Sequence, residues 1–248
     1  MRRYPSSYAA SSFSFGPGGI STAIKALIAA NVLVFVAQFF FPIVTDVLGL
    51  RPIFVVRYFW IWQLATYMFL HGGVFHIVFN MLALWMFGAE LERTWGTRYF
   101  LKFYAVTGIG AGVLTVLFSL LPFAFAEQVL RSNVIGASGA IYGLLLAYAL
   151  YFPDRPIYMY FVFPIPAKVF VAIIGAIALL SSLSDASGVA NATHLGGLLV
   201  AYLFLKSARV HPMAEIKYRY LRWKINRVRK KFDVYSGGRA DDYDRRVH

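Results

Sequence analysis

No cysteine occurs in the 248 residues, which excludes disulfides, thiolate catalysis and cysteine-held metal ions. Charge is scarce as well. Asp, Glu, Lys and Arg together make up 14% of the chain, against about 25% in soluble domains. Acidic residues are the rarest part of that share, 11 in all, and no His-Glu-x-x-His run is present to suggest a helical zinc hydrolase. Duplicated halves and paired broken helices, the pattern of many transporters, are absent too. The first residues, Met1-Arg2-Arg3-Tyr4-Pro5, carry a basic pair but run into Ser, Ala and Gly rather than an apolar core. That is a poor secretory signal, and residues 1–22 are expected to form a flexible cytoplasmic segment.

What fills the chain instead is apolar: 59% of it is hydrophobic and 18% aromatic. Runs of about 20 apolar residues are the signal of membrane-spanning helices. Six such runs fall near residues 23–44, 72–91, 99–122, 138–152, 164–183 and 192–205. The connection at 46–70 is aromatic-rich but holds Arg51 and Arg57, so it is expected to lie in the interface. Basic residues set the orientation. With the N-terminus inside, Arg2, Arg3, Lys25, Arg93, Arg98, Lys102, Arg155 and Lys168 fall inside, and only Arg51, Arg57 and Arg131 outside. From Lys206 onward lie the other 13 Lys and Arg, against 5 acidic residues. Tyr218, Tyr220, Trp223 and Phe232 are interleaved among them, a pattern also found in nucleic-acid binders. Immediately inside the last span, however, such a tail meets anionic lipid headgroups, and no nucleic acid is expected. The fold class is therefore an all-α membrane protein with six transmembrane helices and both termini cytoplasmic. Residues 23–206 form the membrane domain and 207–248 a basic cytoplasmic tail.

In this topology the second, fourth and sixth spans all begin at the outer face. The polar residues near their starts are His71, His76 and Asn80, then Ser138, then His194. Polar groups inside a membrane segment are functional candidates, because leaving them in lipid is expensive. The fourth span, about 15 residues, is roughly 22 Å long, short of a layer of roughly 30 Å. The loop that ends at Gly136 therefore dips below the surface and carries Ser138 with it. Gly136 and Gly139 flank the serine, allowing a sharp turn and close backbone approach. Ser138 is either a small residue at a helix contact or a nucleophile. His194, among small residues, is either a packed histidine bonded to a carbonyl or the base that a serine hydroxyl requires. For the second pair of readings, the Ser138 N–H, the Asn80 amide and a neutral His76 can serve as oxyanion donors. Tyr142, four residues after Ser138, either fills the core or packs on the imidazole. No carboxylate lies near this depth, so a Ser–His dyad is expected rather than a triad, with no metal and no cofactor. Gly139 with Gly143, and Gly197 with Ala201, are spaced to bring the fourth and sixth spans together.

Gly136-Ala137-Ser138-Gly139 with Tyr142, His194 with Gly197, and His71-Gly-Gly-Val-Phe-His76-Ile-Val-Phe-Asn80 together resemble the rhomboid intramembrane serine proteases, as does Gly88-Ala89-Glu90-Leu91-Glu92-Arg93-Thr94-Trp95-Gly96. The resemblance covers residues 23–206. It implies a six-helix core, Ser138 as nucleophile, His194 as base, His76 and Asn80 at the oxyanion, Tyr142 stacked on His194, and Glu92 in a structural role. It implies transmembrane protein substrates, cut within or beside a spanning segment. It also implies a multi-pass protein of the bacterial plasma membrane whose site opens outward. Two positions depart from the family pattern: Trp62-Gln63 stands where many members have Trp-Arg, and Ala201 where many have glycine. A catalytically inactive, client-binding relative is the second reading. The small-residue connection at 184–190 is expected to act as a cap over the site.

Overall fold

The computed structural model describes residues 19–122, 124–159, 163–182 and 188–209. The leader before residue 19, most of the basic tail and residues 183–187 of the expected cap lie outside the described residues.

The longest helix supplies the frame. α7 (Thr97–Ser119) buries Phe100, Phe103, Tyr104, Thr107, Gly108, Ala111, Gly112, Thr115, Val116 and Ser119. Those positions recur every three or four residues, one stripe of a helical surface. The lower half of the stripe is aromatic and the upper half small. α9 (Ser138–Tyr151) lies along it and is buried on most sides, with Gly139, Ala140, Gly143, Leu144 and Ala147 among the covered residues. The two backbones approach closely because small residues face each other. A Cβ added at Gly143 would lie 2.1 Å from Thr107 Cγ2, and one at Gly139 would lie 2.9 Å from Ala111 Cβ. In lipid, where apolar burial drives no association, such close packing is what holds helices together.

α1 (Thr22–Phe40) is apolar on nearly all sides, and its outward residues, such as Leu33 and Phe39, are exposed. That is the surface of a helix in contact with lipid. Its N-terminus is capped by Ser21, whose Oγ accepts from the Ile24 N–H at 3.1 Å and donates to Glu92. The helix and its cap therefore begin ahead of residue 23. α5 (Val74–Ala83), a π-helical turn at Leu84–Gly88 and α6 (Ala89–Trp95) form one continuous rod, 22 residues long and apolar enough to cross a membrane. At its far end Glu92 is buried and accepts from Thr97 Oγ at 2.6 Å, besides the Ser21 hydroxyl. Glu90 pairs with both Arg93 and Arg155 at 2.7 Å. Among the described residues three helices have the length and composition of a span, α1, the α5–α6 rod and α7, and two shorter apolar helices accompany them.

The connection between α1 and α5 is built from α2 (Ile43–Leu48), α3 (Pro52–Tyr58), α4 (Gln63–Thr66) and a 3₁₀ turn at Tyr67–Phe69. Gln63, at the position that departs from the family pattern, is fully buried. Its Oε1 accepts from the Arg51 N–H at 3.1 Å and its Nε2 donates to the Val47 carbonyl at 3.2 Å. The amide thus anchors this connection through backbone groups. α8 (Ala124–Arg131) bridges α7 and α9, and an antiparallel hairpin, β1 (Pro156–Met159) with β2 (Phe163–Pro166), leads to α10 (Ala167–Ser182) and α11 (Gly188–Arg209). The fold is mostly helical, and this short hairpin is its addition to the all-α expectation.

Candidate active site

Three elements meet at Ser138, the first residue of α9. The loop before it is fastened on both sides. Leu50 and Val134 exchange backbone hydrogen bonds of 2.9 and 2.8 Å, and the Gly136 N–H donates to the Tyr67 carbonyl at 2.9 Å. Tyr67 itself is fully buried, and its hydroxyl donates to the Gly108 carbonyl on α7 at 2.7 Å. The frame helix, the outer connection and the serine loop are thereby joined through one side chain. Gly136 turns the chain with φ +127°, a conformation that disfavours any residue with a Cβ. A Cβ there would also lie 2.9 Å from His76 Cε1 and Nε2. Glycine is needed at this position twice over.

Ser138 Oγ lies 2.8 Å from His194 Nε2, across 56 residues of sequence. The separation follows from how closely α11 approaches α9. Gly197 faces the Gly139 carbonyl so tightly that a Cβ would sit 2.0 Å from that oxygen. Gly143 likewise faces Ala201, 3.3 Å from an added Cβ, so the expected meeting of these small residues holds and Ala201 fits. A second fastening lies beside the histidine. Thr115 Oγ donates to the Ala111 carbonyl at 2.8 Å and lies 2.9 Å from Thr193 Oγ. With its one proton committed, Thr115 accepts from Thr193, tying α11 to α7 one residue before His194. The Tyr142 ring stacks on the imidazole with centroids 4.2 Å apart and planes 6° from parallel. His194 Nδ1 is buried and has no hydrogen-bond partner among the described residues. A hydroxyl accepted by Nε2 puts the neutral ring's proton on Nδ1.

His76 sits in the first turn of α5, beside Gly136. Its Nδ1 accepts from the Gly72 N–H at 3.2 Å, so a neutral ring carries its proton on Nε2, the nitrogen next to Gly136. Asn80 is buried on the same face, and one of its amide hydrogens goes to the His76 carbonyl at 2.8 Å; its second hydrogen remains for another acceptor. The Ser138 N–H belongs to the first turn of α9, where helical N–H groups lack intrahelical acceptors. All seven residues expected from the sequence, Ser138, His194, His76, Asn80, Tyr142, Gly136 and Gly139, thus gather at one end of the bundle. The sequence reading missed Tyr67, Thr115, Thr193 and Gln38. Each acts on a backbone group or a hydroxyl distant in sequence, which no local pattern announces.

The amino-acid sequence has counterparts in known proteins. Residues 58–208 match the rhomboid domain model. The chain is 34% identical over 143 residues to Rhomboid protein 1, mitochondrial, of Saccharomyces cerevisiae, covering 55% of this chain and 38% of that protein. Over 158 residues it is 31% identical to Rhomboid protease AarA of Providencia stuartii, with coverage of 57% and 54%. Over 84 residues it is 40% identical to Rhomboid protease GluP of Bacillus subtilis, with coverage of 34% and 14%. The chain spans half or little more than half of the length of AarA and less of the other two.

Proposed function

Because the chain belongs to the rhomboid family and is an integral membrane protein, we propose that it is a serine endopeptidase working within the bilayer through Ser138 and His194. The observation that carries this reading is the 2.8 Å approach of Ser138 Oγ to His194 Nε2. In the proposed reaction His194 Nε2 takes the hydroxyl proton while Oγ bonds to the scissile carbonyl carbon. The carbonyl oxygen gains the electron pair and is met by the Ser138 N–H, His76 Nε2–H and the Asn80 amide. Collapse breaks the C–N bond, and His194 returns the proton to the leaving amine. Water, deprotonated by the same nitrogen, then hydrolyses the ester and restores Ser138. A buried carboxylate would orient the base in a triad. Here the Tyr142 stack and the Gly197 contact serve instead, so the pair works as a dyad.

The substrates in this reading are membrane-anchored proteins, cut within or beside a spanning segment. The six spans are α1, the α5–α6 rod, α7, α9, α10 and α11, with both termini in the cytoplasm and the site opening to the outer face. The 14 residues of α9 amount to about 21 Å of helix, which sets Ser138 below the surface of a layer of roughly 30 Å. Among relatives that include mitochondrial and bacterial proteins, we assign this chain to the bacterial plasma membrane. By its charge, the basic tail is assigned to anionic lipid headgroups as its partner.

Wild type and Ser138→Ala, purified in detergent and given a model transmembrane substrate, test the reading. Cleavage by wild type alone is the expected result. Equal cleavage by both, or none by wild type on several substrates, sinks it and leaves the client-binding alternative. A mechanism-based serine reagent should label wild type once, at Ser138, and unchanged labelling of His194→Ala would contradict the role of the base.

A further inference from the structure

His71 is used by none of the chemistry above, yet it lies 2% exposed beside it. Neither ring nitrogen completes a hydrogen bond among the described residues. A buried polar group without partners costs free energy, so the nitrogens do not explain its presence. What the side chain offers is its ring, and the ring meets His76. The two imidazoles lie edge to face, centroids 5.0 Å apart and planes 71° apart.

The peptide that carries His71 is itself clamped. Gln38 of α1 accepts from the His71 N–H at 2.9 Å and donates to the His71 carbonyl at 3.4 Å. The same amide nitrogen donates to Thr45 Oγ at 3.0 Å. The first helix thus fixes the His71 backbone, and through it the ring against His76. His76 needs such a fixture. The outer torsion of a histidine is broad, and its single hydrogen bond to Gly72 N–H leaves the ring free to tilt about that contact. On its far side Gly136, lacking a Cβ, leaves the space that Nε2 occupies.

Resting on the protease reading, we propose that His71 is a positioning residue that, held by Gln38, keeps the His76 ring turned so that Nε2–H meets the oxyanion. The contribution is steric and directional, made through the edge of the ring.

A double-mutant cycle tests it on the full chain in detergent with a model transmembrane substrate. His71→Ala should lower kcat by about ten-fold, a fraction of the 10²–10³ that loss of a whole oxyanion donor costs, with KM changed by less than about two-fold. His71→Phe, which keeps a ring edge without nitrogens, should retain at least half of the wild-type kcat. In a His76→Ala background the His71→Ala change should cost nothing further, since its route is gone. Losses that multiply in the double variant, or a His71→Phe as impaired as His71→Ala, overturn the proposal. If His71→Ala does not fold, Gln38→Leu takes its place in the cycle with the same expectation. The ¹⁵N resonances of the His76 ring keep this test apart from the protease reading. If wild type cleaves nothing, that reading fails. The proposal then stands only if the His76 ring gives one sharp set of ¹⁵N resonances in wild type and a shifted or exchange-broadened set in His71→Ala. An unchanged His76 signal overturns it.

Discussion

At the scale of single residues the site depends on atoms that are missing as much as on those present. Gly136 combines φ +127° with a His76 ring 2.9 Å from where its Cβ would be. An alanine there meets backbone strain of order 1–3 kcal/mol and pushes His76 away from the position proposed for the oxyanion. Gly136→Ala should therefore lower kcat by about 100-fold, comparable to losing an oxyanion donor outright, while binding Ser138 reagents at a reduced but measurable rate. Wild-type kcat in this variant would show that His76 stands elsewhere during catalysis. Ser138, His194 and Tyr142 were readable from the sequence because depth along a span and a four-residue spacing are properties of the chain itself. Tyr67 was not, because its work is done by a hydroxyl on the Gly108 carbonyl, 41 residues away, and by its own carbonyl on Gly136. An aromatic in an apolar connection carries no mark of such a role. Gln38 is the same case on α1.

Between elements, the Ser138–His194 pair is a measurement of how closely α9 and α11 approach. The Gly197 Cα stands so near the Gly139 carbonyl that an added Cβ would lie 2.0 Å from the oxygen. Ordinary contact requires α11 to move outward by about 1 Å, and a displacement of that size at a reacting pair costs on the order of 100-fold in rate. Gly197→Ala should therefore lose Ser138 labelling and cleavage together while keeping most of its thermal stability. Gly175→Ala on α10, whose Cβ would meet only Leu198 Cδ1 at 3.6 Å, is the control and should behave as wild type. If both glycines tolerate alanine equally, α9 and α11 do not set the Ser138–His194 distance. Hydropathy located α1, α7 and α9 to within a few residues, because an apolar run has the same length as the helix that it becomes. The π-helical turn at Leu84–Gly88, α8 and the β1–β2 hairpin escaped it. Each lies in or beside an apolar stretch where the apolar count is unchanged by the way the backbone bends.

Across the whole molecule, the uneven placement of charge becomes a statement about which face meets which compartment. Outside the tail, eight basic residues fall on the side assigned to the cytoplasm and three on the other. α8 with its exposed Glu127–Arg131 pair then lies outward, and the turn before β1 with the Lys168–Asp154 pair lies inward. Between them runs only α9, whose 14 residues give about 21 Å. The orientation and the crossing of this short helix are therefore one question. The absence of cysteine makes it direct to answer, since any introduced thiol is the sole target of a maleimide. Glu127→Cys should react with a membrane-impermeant maleimide on intact cells. Asp154→Cys should react only after the membrane is opened. Reversed labelling would turn the protein over and put Ser138 near the cytoplasm. Labelling of both from one side would mean that α9 does not cross. In the proposed orientation α9 is shorter than the bilayer, and the loop before it, fastened to Leu50 and Tyr67, is proposed to lie below the surface with Ser138.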